Sequence, residues 1–363
     1  MKVLVLVDKI QSAIHRLALS IEKDNPHLDI AIIPLHPKRP DMDQIEAMHK
    51  AFLECDILHV MYWKSGEKMK EYVDITTKPS ILSHHNPYNV LDEDWTKTYN
   101  HVTCNNESIH EDISYSELIP MGINLDFYKF NEEYADNKVV NMVVGRIEGK
   151  KGVLEVAQAC KELGYKFVLV GKISKPEYFA QVKAANPDMD FRENITDEEL
   201  REAYYESTIH VCNSIDGFES GTLPILEAMA CGVPVLTRNI GHIPELYSGT
   251  NMVVRKGKQE DLKDLKKELK SLMDNIGQRE SMREKAWDTV KNRNDKRMSR
   301  RYESAYYRVV KKDDSQPWMS VIVPTCDRPN TLIERLAMIE NQTYPLIEVI
   351  VPDSGEESSE DIV

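Results

Sequence analysis

Two short segments carry residue types and spacings suited to gripping a diphosphate. The first runs Asp216-Gly217-Phe218-Glu219-Ser220-Gly221-Thr222-Leu223-Pro224 and continues through Glu227 to Cys231-Gly232-Val233-Pro234. Pro224 suits the first turn of a helix, which places Gly221, Thr222 and Leu223 where backbone N–H groups point outward unpaired. A helix start of this kind attracts phosphate through those N–H groups and the helix dipole, and Gly221 permits close approach. Glu219 falls just before the helix and Glu227 within it, among apolar neighbours. A carboxylate in that setting needs partners, and sugar hydroxyls would supply them. The plainer alternative makes Glu227 a partly exposed helix residue and Glu219 a surface charge. The second segment, Val143-Val144-Gly145-Arg146-Ile147-Glu148-Gly149-Lys150-Lys151-Gly152, joins a strand pattern to a helix pattern. Arginine offers a planar fork of donors and lysine a point charge, so Arg146 and Lys151 suit a diphosphate. Basic loops are common, and this one gains its meaning beside Glu219 and Glu227.

The elements that must position these residues follow an alternating pattern. Strands are expected at 2–7, 29–33, 57–60, 80–83, 101–104 and 117–119, with helices at 13–22 and 41–54. A second series is expected from strand 139–144 through helix 153–163, strand 166–170 and helix 175–185. It continues with helix 197–206, opened by the capping-box order Thr196-Asp197-Glu198-Glu199, then strand 209–212, helix 224–231 and strands 233–237 and 252–254. Residues 260–273 and 279–309 read as helices. Such alternation indicates parallel sheets covered on both faces. The fold class expected is therefore α/β, with two Rossmann-like doubly wound domains at 1–130 and 131–290 facing a cleft. Residues 291–311 form a terminal helix expected to pack back on the first domain. A polar linker at 312–319 leads to a fresh βαβ pattern at 320–363. Active sites in such sheets lie at the carboxyl ends of the strands, here in the cleft.

Composition sets the outer limits. A chain of 363 residues, 41% hydrophobic and 29% charged, is an ordinary globular sequence of more than one domain. No apolar run approaches the ~20 residues of a membrane-spanning helix. The apolar opening Val3–Val7 is cut off by Asp8, too short for a signal-peptide core. Six cysteines at 55, 104, 160, 212, 231 and 326 lack metal-ligand spacing, which points to reduced thiols in cytoplasm and to neither zinc nor a disulfide framework. A net charge of −14 argues against nucleic-acid binding. Residues 255–312 stand apart with a net charge of +9, read as a solvated helical face or as a contact with an anionic membrane surface or the other domain. A dehydrogenase is disfavoured because no Gly-x-Gly-x-x-Gly follows the first strand.

With these motifs in place, the chain resembles the retaining glycosyltransferases of family 4, which have the GT-B fold. The resemblance rests on Gly145-Arg146-x4-Lys151-Gly152 and on Glu219-x7-Glu227 with Leu-Glu-Ala-Met-Ala-Cys-Gly-Val-Pro. Pro120-Met121-Gly122-Ile123-Asn124 is similar to the family's interdomain turn, and Gly241-His242-Ile243-Pro244-Glu245 to its Gly-Gly-Ile-Pro-Glu. The resemblance covers about residues 1–310. It implies a nucleotide-diphosphate sugar as donor, gripped by Arg146 and Lys151, with Gly145 and the Gly221, Thr222 and Leu223 backbone around the phosphates. Glu227 would bond the nucleotide ribose and Glu219 would face the transferred sugar. His85 in Ser83-His84-His85-Asn86 matches the histidine that contacts the donor sugar, with His84 the fallback. No metal is expected for this site. The sequence departs from the family after the first strand: Asp8-Lys9-Ile10-Gln11-Ser12-Ala13-Ile14-His15-Arg16 has no glycine, and Lys9 and Arg16 are candidates for side-chain contacts instead.

The tail carries a second resemblance. Ser320-Val321-Ile322-Val323-Pro324 through Asp327, then Asn341–Pro345 and Glu348–Gly355, is similar to the start of an inverting family 2 glycosyltransferase of GT-A fold, with Asp353 against the nucleotide base. Together these imply a cytoplasmic enzyme, peripheral at the inner membrane face through residues 255–312, moving a sugar to a glycan or lipid-linked acceptor in surface polysaccharide synthesis. Two alternatives stay open: a non-catalytic nucleotide-binding scaffold for a second transferase, and a GT-B hydrolase or epimerase of nucleotide sugars.

Overall fold

A computed structural model of the chain describes residues 1–85, 96–134, 136–215, 217–219, 221–310, 319–326, 328–340, 342 and 347–352. Asn86, Asp216, Ser220, the linker at 312–318 and Asp353, all named above, lie outside the described residues.

The first sheet is built from β1 (Lys2–Val7), α1 (Ala13–Asp24), β2 (Asp29–Pro34), α2 (Met42–Glu54), β3 (Ile57–Val60), α3 (Trp63–Met69), β4 (Ser80–His84), β5 (His101–Cys104), α4 (Glu107–Asp112) and β6 (Glu117–Leu118). Its strands are parallel in the order β2-β1-β3-β4-β5-β6. Val3 to Val7 are 0–1% exposed, as expected of a strand covered on both faces.

The second sheet follows with β7 (Val139–Ile147), α5 (Val153–Leu163), β8 (Lys166–Ile173), α6 (Pro176–Ala185), β9 (Asp190–Arg192), α7 (Asp197–Tyr205), β10 (Ile209–Val211), α8 (Leu223–Ala230), β11 (Val235–Arg238), α9 (Ile243–Leu246) and β12 (Val253–Arg255). Its parallel order is β9-β8-β7-β10-β11-β12. The capping box at α7 forms as its sequence predicts, with Thr196 and Glu199 bonding each other's backbone N–H groups. Helices α10 (Leu262–Asp274) and α11 (Ile276–Val290) pack on this half.

The helix expected over 279–309 is in fact two. The chain breaks at 291–294 and resumes as α12 (Asp295–Val310) because it crosses between the two halves there. Ile123 N–H donates to Arg293 O (2.9 Å) and Asp295 N–H to Ile123 O (3.0 Å), so the outgoing turn at 120–124 and the returning crossing are stitched side by side. Gly122 makes this possible, since a Cβ there would lie 2.6 Å from Asp295 Cα. Helix α12 then lies against α1, β3 and β4, burying Met298, Ser299, Tyr302, Ala305 and Tyr306 at helical spacing. Beneath it, the His59 ring joins Tyr306 OH (2.8 Å) to Ser83 Oγ (2.7 Å), and burial pushes the imidazole down to about 3, so it is neutral.

Many cations of the basic block are satisfied within the molecule. Arg279 pairs with Asp136, Lys266 with Glu162, Lys296 with Asp126 and Arg308 with Glu117, the last two reaching residues of the first half. This is the other-domain contact weighed from the sequence. Among the described residues no helix is long and apolar enough to cross a membrane. Beyond the linker, β13 (Met319–Ile322) and β14 (Ile347–Ile350) pair in parallel with α13 (Pro329–Glu340) between them.

Candidate active site

In a doubly wound sheet the strand order reverses at one point, and the loops there open a crevice at the carboxyl ends of the strands. In the first sheet that point lies between β1 and β3, which deliver Asp8 to Arg16 and Tyr62. In the second it lies between β7 and β10, which deliver Gly145 to Gly152 and Cys212 to Glu219. The two crevices face each other, because Arg16 in the first turn of α1 forms an ion pair with Glu227 of α8.

Helix α8 starts as expected, with Pro224 in its first turn, and it buries Glu227 to 1% exposure. Glu227 is thus not the partly exposed helix residue of the plainer alternative. Its Oε1 accepts from Arg16, and its Oε2 accepts from Tyr204 OH (2.7 Å). Burial and the Glu227 charge hold the Tyr204 hydroxyl well above its ordinary range, so it remains a donor. The Arg16 guanidinium is raised chiefly by Glu227.

The start of α8 departs from expectation at one backbone group. Thr222 N–H does not point outward unpaired: it donates to His242 Nε2 (3.2 Å), the histidine of Gly241-His242-Ile243-Pro244-Glu245. His242 is fully buried and pushed down to about 3, so it is a neutral acceptor there. Gly221 is indeed a position of close approach, but to Met121 of the interdomain turn, whose methyl group a Cβ at 221 would overlap. Leu223 is buried.

Lys151 forms an ion pair with Glu219, whose Oε1 also accepts from Ser214 Oγ (2.7 Å). Both side chains are largely covered, at 16% and 12% exposure. The Phe218 ring lies under Lys151 and Lys150, at 5.0 and 5.1 Å from their ammonium nitrogens. The loop that carries Lys151 is fixed by residues the sequence did not single out. Gln259 Nε2 donates to Lys150 O and Asn213 O (both 2.9 Å), Ile215 N–H donates to Lys150 O (2.9 Å), and buried Arg255 holds Asn213 Oδ1 (3.1 Å). Gly152 ends the loop at φ +69° against Asn213, where any side chain would collide.

Arg146 extends from β7 where the strand register shifts between Val144 and Ile147, an irregularity that re-aims side chains. It is 58% exposed, and its guanidinium lies 3.4 Å from Glu148. Gly145 beside it has open space where a Cβ would stand. The Tyr62 hydroxyl, raised by burial and Asp8, is eased down by Arg146, so this cation also looks across to the first half.

His85 stands at the exit of β4, half-buried, and burial followed by the neighbouring His84 pushes it down to about 4. His84 is the last residue of β4 and is 3% exposed. The structure thus gathers Arg146, Lys151, Glu219, Glu227 and the α8 start around one crevice, with Arg16 entering from the opposite half. Glu245 adds a second bridge, since its carboxylate accepts from Glu107 N–H at the start of α4 (2.8 Å) and lies 3.5 Å from Arg293. Among the described residues no group of three or more His, Cys, Asp or Glu is arranged to hold a metal ion.

Known proteins share the fold that carries this arrangement. Residues 126–288 match the family model described as glycosyl transferases group 1. Over 123 residues the chain is 30% identical to alpha-maltose-1-phosphate synthase of Mycobacterium tuberculosis, and the match spans 31% of each chain. The chain thus aligns with about a third of the length of the curated relatives it matches. The Anabaena protein HepE, solved in complex with UDP and glucose, superposes with a TM-score of 0.70 at 15% identity, covering 85% of this chain and 100% of that one. A glycosyltransferase from Rickettsia africae gives 0.68 at 17% identity, covering 86% and 99%. Sucrose-phosphate synthase from Thermosynechococcus elongatus gives 0.68 at 15%, covering 86% and 100%. The chain therefore has the GT-B fold, and the group 1 glycosyltransferase model matches its residues 126–288.

Proposed function

We propose that this chain is a retaining glycosyltransferase that moves a sugar from a nucleoside-diphosphate sugar to an acceptor hydroxyl. The observation that carries the reading is the pairing of cations and carboxylates at the facing switch points, Lys151 with Glu219 and Arg16 with Glu227. A donor offers phosphates to the cations and hydroxyls to the carboxylates. Arg146, Lys151 and the start of α8 at Gly221 and Leu223 would stabilise charge growing on the departing diphosphate, with Gly145 letting the phosphate approach. Glu227 would hold the ribose, and Glu219 the transferred sugar. His85, neutral at pH 7, would meet the sugar from the first half.

Glu219 is ion-paired with Lys151 and accepts a hydrogen bond from Ser214 Oγ, a setting that suits a hydrogen-bond acceptor better than an attacking nucleophile. This favours front-face transfer. The bond from the anomeric carbon to the phosphate oxygen breaks and a bond to the acceptor oxygen forms on the same face, while a leaving phosphate oxygen takes the acceptor proton. Closure of the cleft excludes water and limits hydrolysis. That other proteins of this fold are solved with UDP and glucose or with UDP-glucose supports a nucleotide sugar as donor. The acceptor, a glycan or lipid-linked sugar of surface polysaccharide, would approach from residues 1–130, with residues 131–290 holding the donor. Cytoplasmic placement with peripheral membrane contact through 255–312 belongs to the same reading. The parallel βαβ unit at 319–352 supports reading the tail as the opening of a family 2 type domain.

The test is thermal unfolding of the full chain with UDP, GDP and ADP, wild type beside Glu227→Ala. A ligand at 100 times its dissociation constant adds about 2.7 kcal/mol, a rise of several degrees. One diphosphate should stabilise wild type selectively and the variant less. No rise with any of the three would put a non-catalytic scaffold in its place.

A further inference from the structure

The loop after β1 does not form a phosphate cradle from its backbone. Without a glycine, Gln11 itself takes φ +61°. Ser12 Oγ caps α1 by accepting from His15 N–H (3.1 Å) and is held in turn by Asp8 Oδ1 (2.6 Å). The turn is closed on its own side chains. What this end of α1 contributes to the cleft is Arg16, one turn further on.

We propose that Arg16 is a donor-site residue supplied by the first domain, which exchanges Glu227 for the donor diphosphate when the ribose takes its place on Glu227. This rests on the donor reading above. In the structure each carboxylate assigned to donor hydroxyls holds a cation, Glu227 with Arg16 and Glu219 with Lys151. Glu227 is 1% exposed and anchored by Tyr204, so it stays where it is, whereas Arg16 is 31% exposed and so the more open member of the pair. A guanidinium leaving a buried carboxylate needs another anion, and a diphosphate matches its fork of donors in two-pronged fashion. The distance is short. Glu227 lies four residues past Leu223, the first residue of α8, and four residues of helix rise about 6 Å, within the sweep of an arginine side chain. The exchange also keeps hydrogen-bond partners on both sides, because the ribose hydroxyls replace the guanidinium on Glu227 as the phosphates replace Glu227 on the guanidinium.

Two effects of opposite sign follow. A nucleoside lacking phosphate must dislodge Arg16 and offers it nothing, so part of its affinity is lost to that competition. A nucleoside diphosphate regains it as a charge-assisted contact. The experiment is calorimetric titration of the full chain with UDP, GDP and ADP, then with the nucleoside of whichever binds, in wild type, Arg16→Met and Arg16→Lys. Arg16→Met should weaken the diphosphate about tenfold and tighten the nucleoside about threefold, and Arg16→Lys should recover most of the diphosphate affinity. Loss of a merely structural contact lowers both together. If wild type binds a diphosphate while Arg16→Met shifts both ligands in the same direction or neither, the role of Arg16 is overturned and the donor reading stands. If wild type binds none of the three diphosphates, both fall. Where Arg16→Met yields too little folded protein, Arg16→Lys carries the same test with smaller changes of the same signs.

Discussion

Replacing Gly122 by alanine should loosen the junction of the two halves, and the structure gives the size of the effect. A Cβ at this position would lie 2.6 Å from Asp295 Cα, 2.7 Å from Asn294 O and 2.8 Å from Asp295 N. All three are backbone atoms, so no rotamer change relieves the clash, and the start of α12 has to move away. Forcing an extra carbon into such a site costs about 1–3 kcal/mol. The displacement also strains the Ile123–Arg293 and Asp295–Ile123 backbone hydrogen bonds, each worth about 1 kcal/mol. The expected total is about 3–5 kcal/mol, which corresponds to a fall in apparent melting temperature of roughly 6–20 °C on the scale of 2–4 °C per kcal/mol for domains of this size. Gly164→Ala is the control. It has open space around it but φ +69°, so only the left-handed strain of about 1–2 kcal/mol applies. Thermal unfolding of both variants by intrinsic fluorescence decides the matter. A melting temperature for Gly122→Ala within about 2 °C of wild type would refute the idea that this close approach fixes the junction.

Gly145→Ala meets no atom within 4 Å, so its melting temperature should match wild type; if phosphate lies against this backbone, calorimetry will show UDP or its equivalent binding about tenfold more weakly. Asp295 is 3% exposed, and burial, with Asp24 adding, pushes its carboxyl up to about 6. The folded value lies above the unfolded one, so the stability linked to its proton is full below about pH 4 and lost as pH rises through 6. Asp295→Asn should therefore melt higher than wild type at pH 8 and alike at pH 4, read from melting curves across that range. Tyr306→Phe removes the hydroxyl that His59 Nδ1 bonds and strands a buried polar atom, at a cost of about 1–3 kcal/mol in denaturant unfolding, and truncating a residue that merely filled space would cost less.

What could be read in the sequence was whatever depends on neighbours along the chain. The alternation of β1 with α1, the capping box of α7 and the proline start of α8 are local signals, and each has its expected form. Helix α3 carried no such signal, because Gly66 sits in its middle. That glycine is there for packing, since a Cβ would lie 2.6 Å from Tyr99 OH and 2.8 Å from Val60. The break at 291–294 was likewise missed, although Asn294 gives a local helix-start signal, its Oδ1 accepting from Arg297 N–H (2.7 Å); the pairing of this crossing with Ile123 on a distant turn had no local sign. Glu219, Glu227, Arg146 and Lys151 stand out by type and spacing. The pairings do not, even where the partner itself is singled out by the sequence, as Arg16 and His242 are. Arg16 lies 211 residues from Glu227, His242 lies 20 from Thr222, and the Asn213, Arg255 and Gln259 group that holds the Lys151 loop forms only when β10 and β12 are in place.

The position of α12 bears on how the protein is made. The helix that seals α1, β3 and β4 comes from residues 295–310, so the first sheet leaves the ribosome long before its own cover does. Between residue 130 and residue 310 lie 180 residues, which take about 10–35 s to synthesise at 5–20 residues per second. Throughout that interval the apolar face of α1 and the His59 pocket are open, and by residue 290 the second sheet, whose own helices α10 and α11 precede α12, already has all its parts. Order of synthesis and order of completion are therefore reversed, and the nascent first half is the stretch that most needs protection from aggregation.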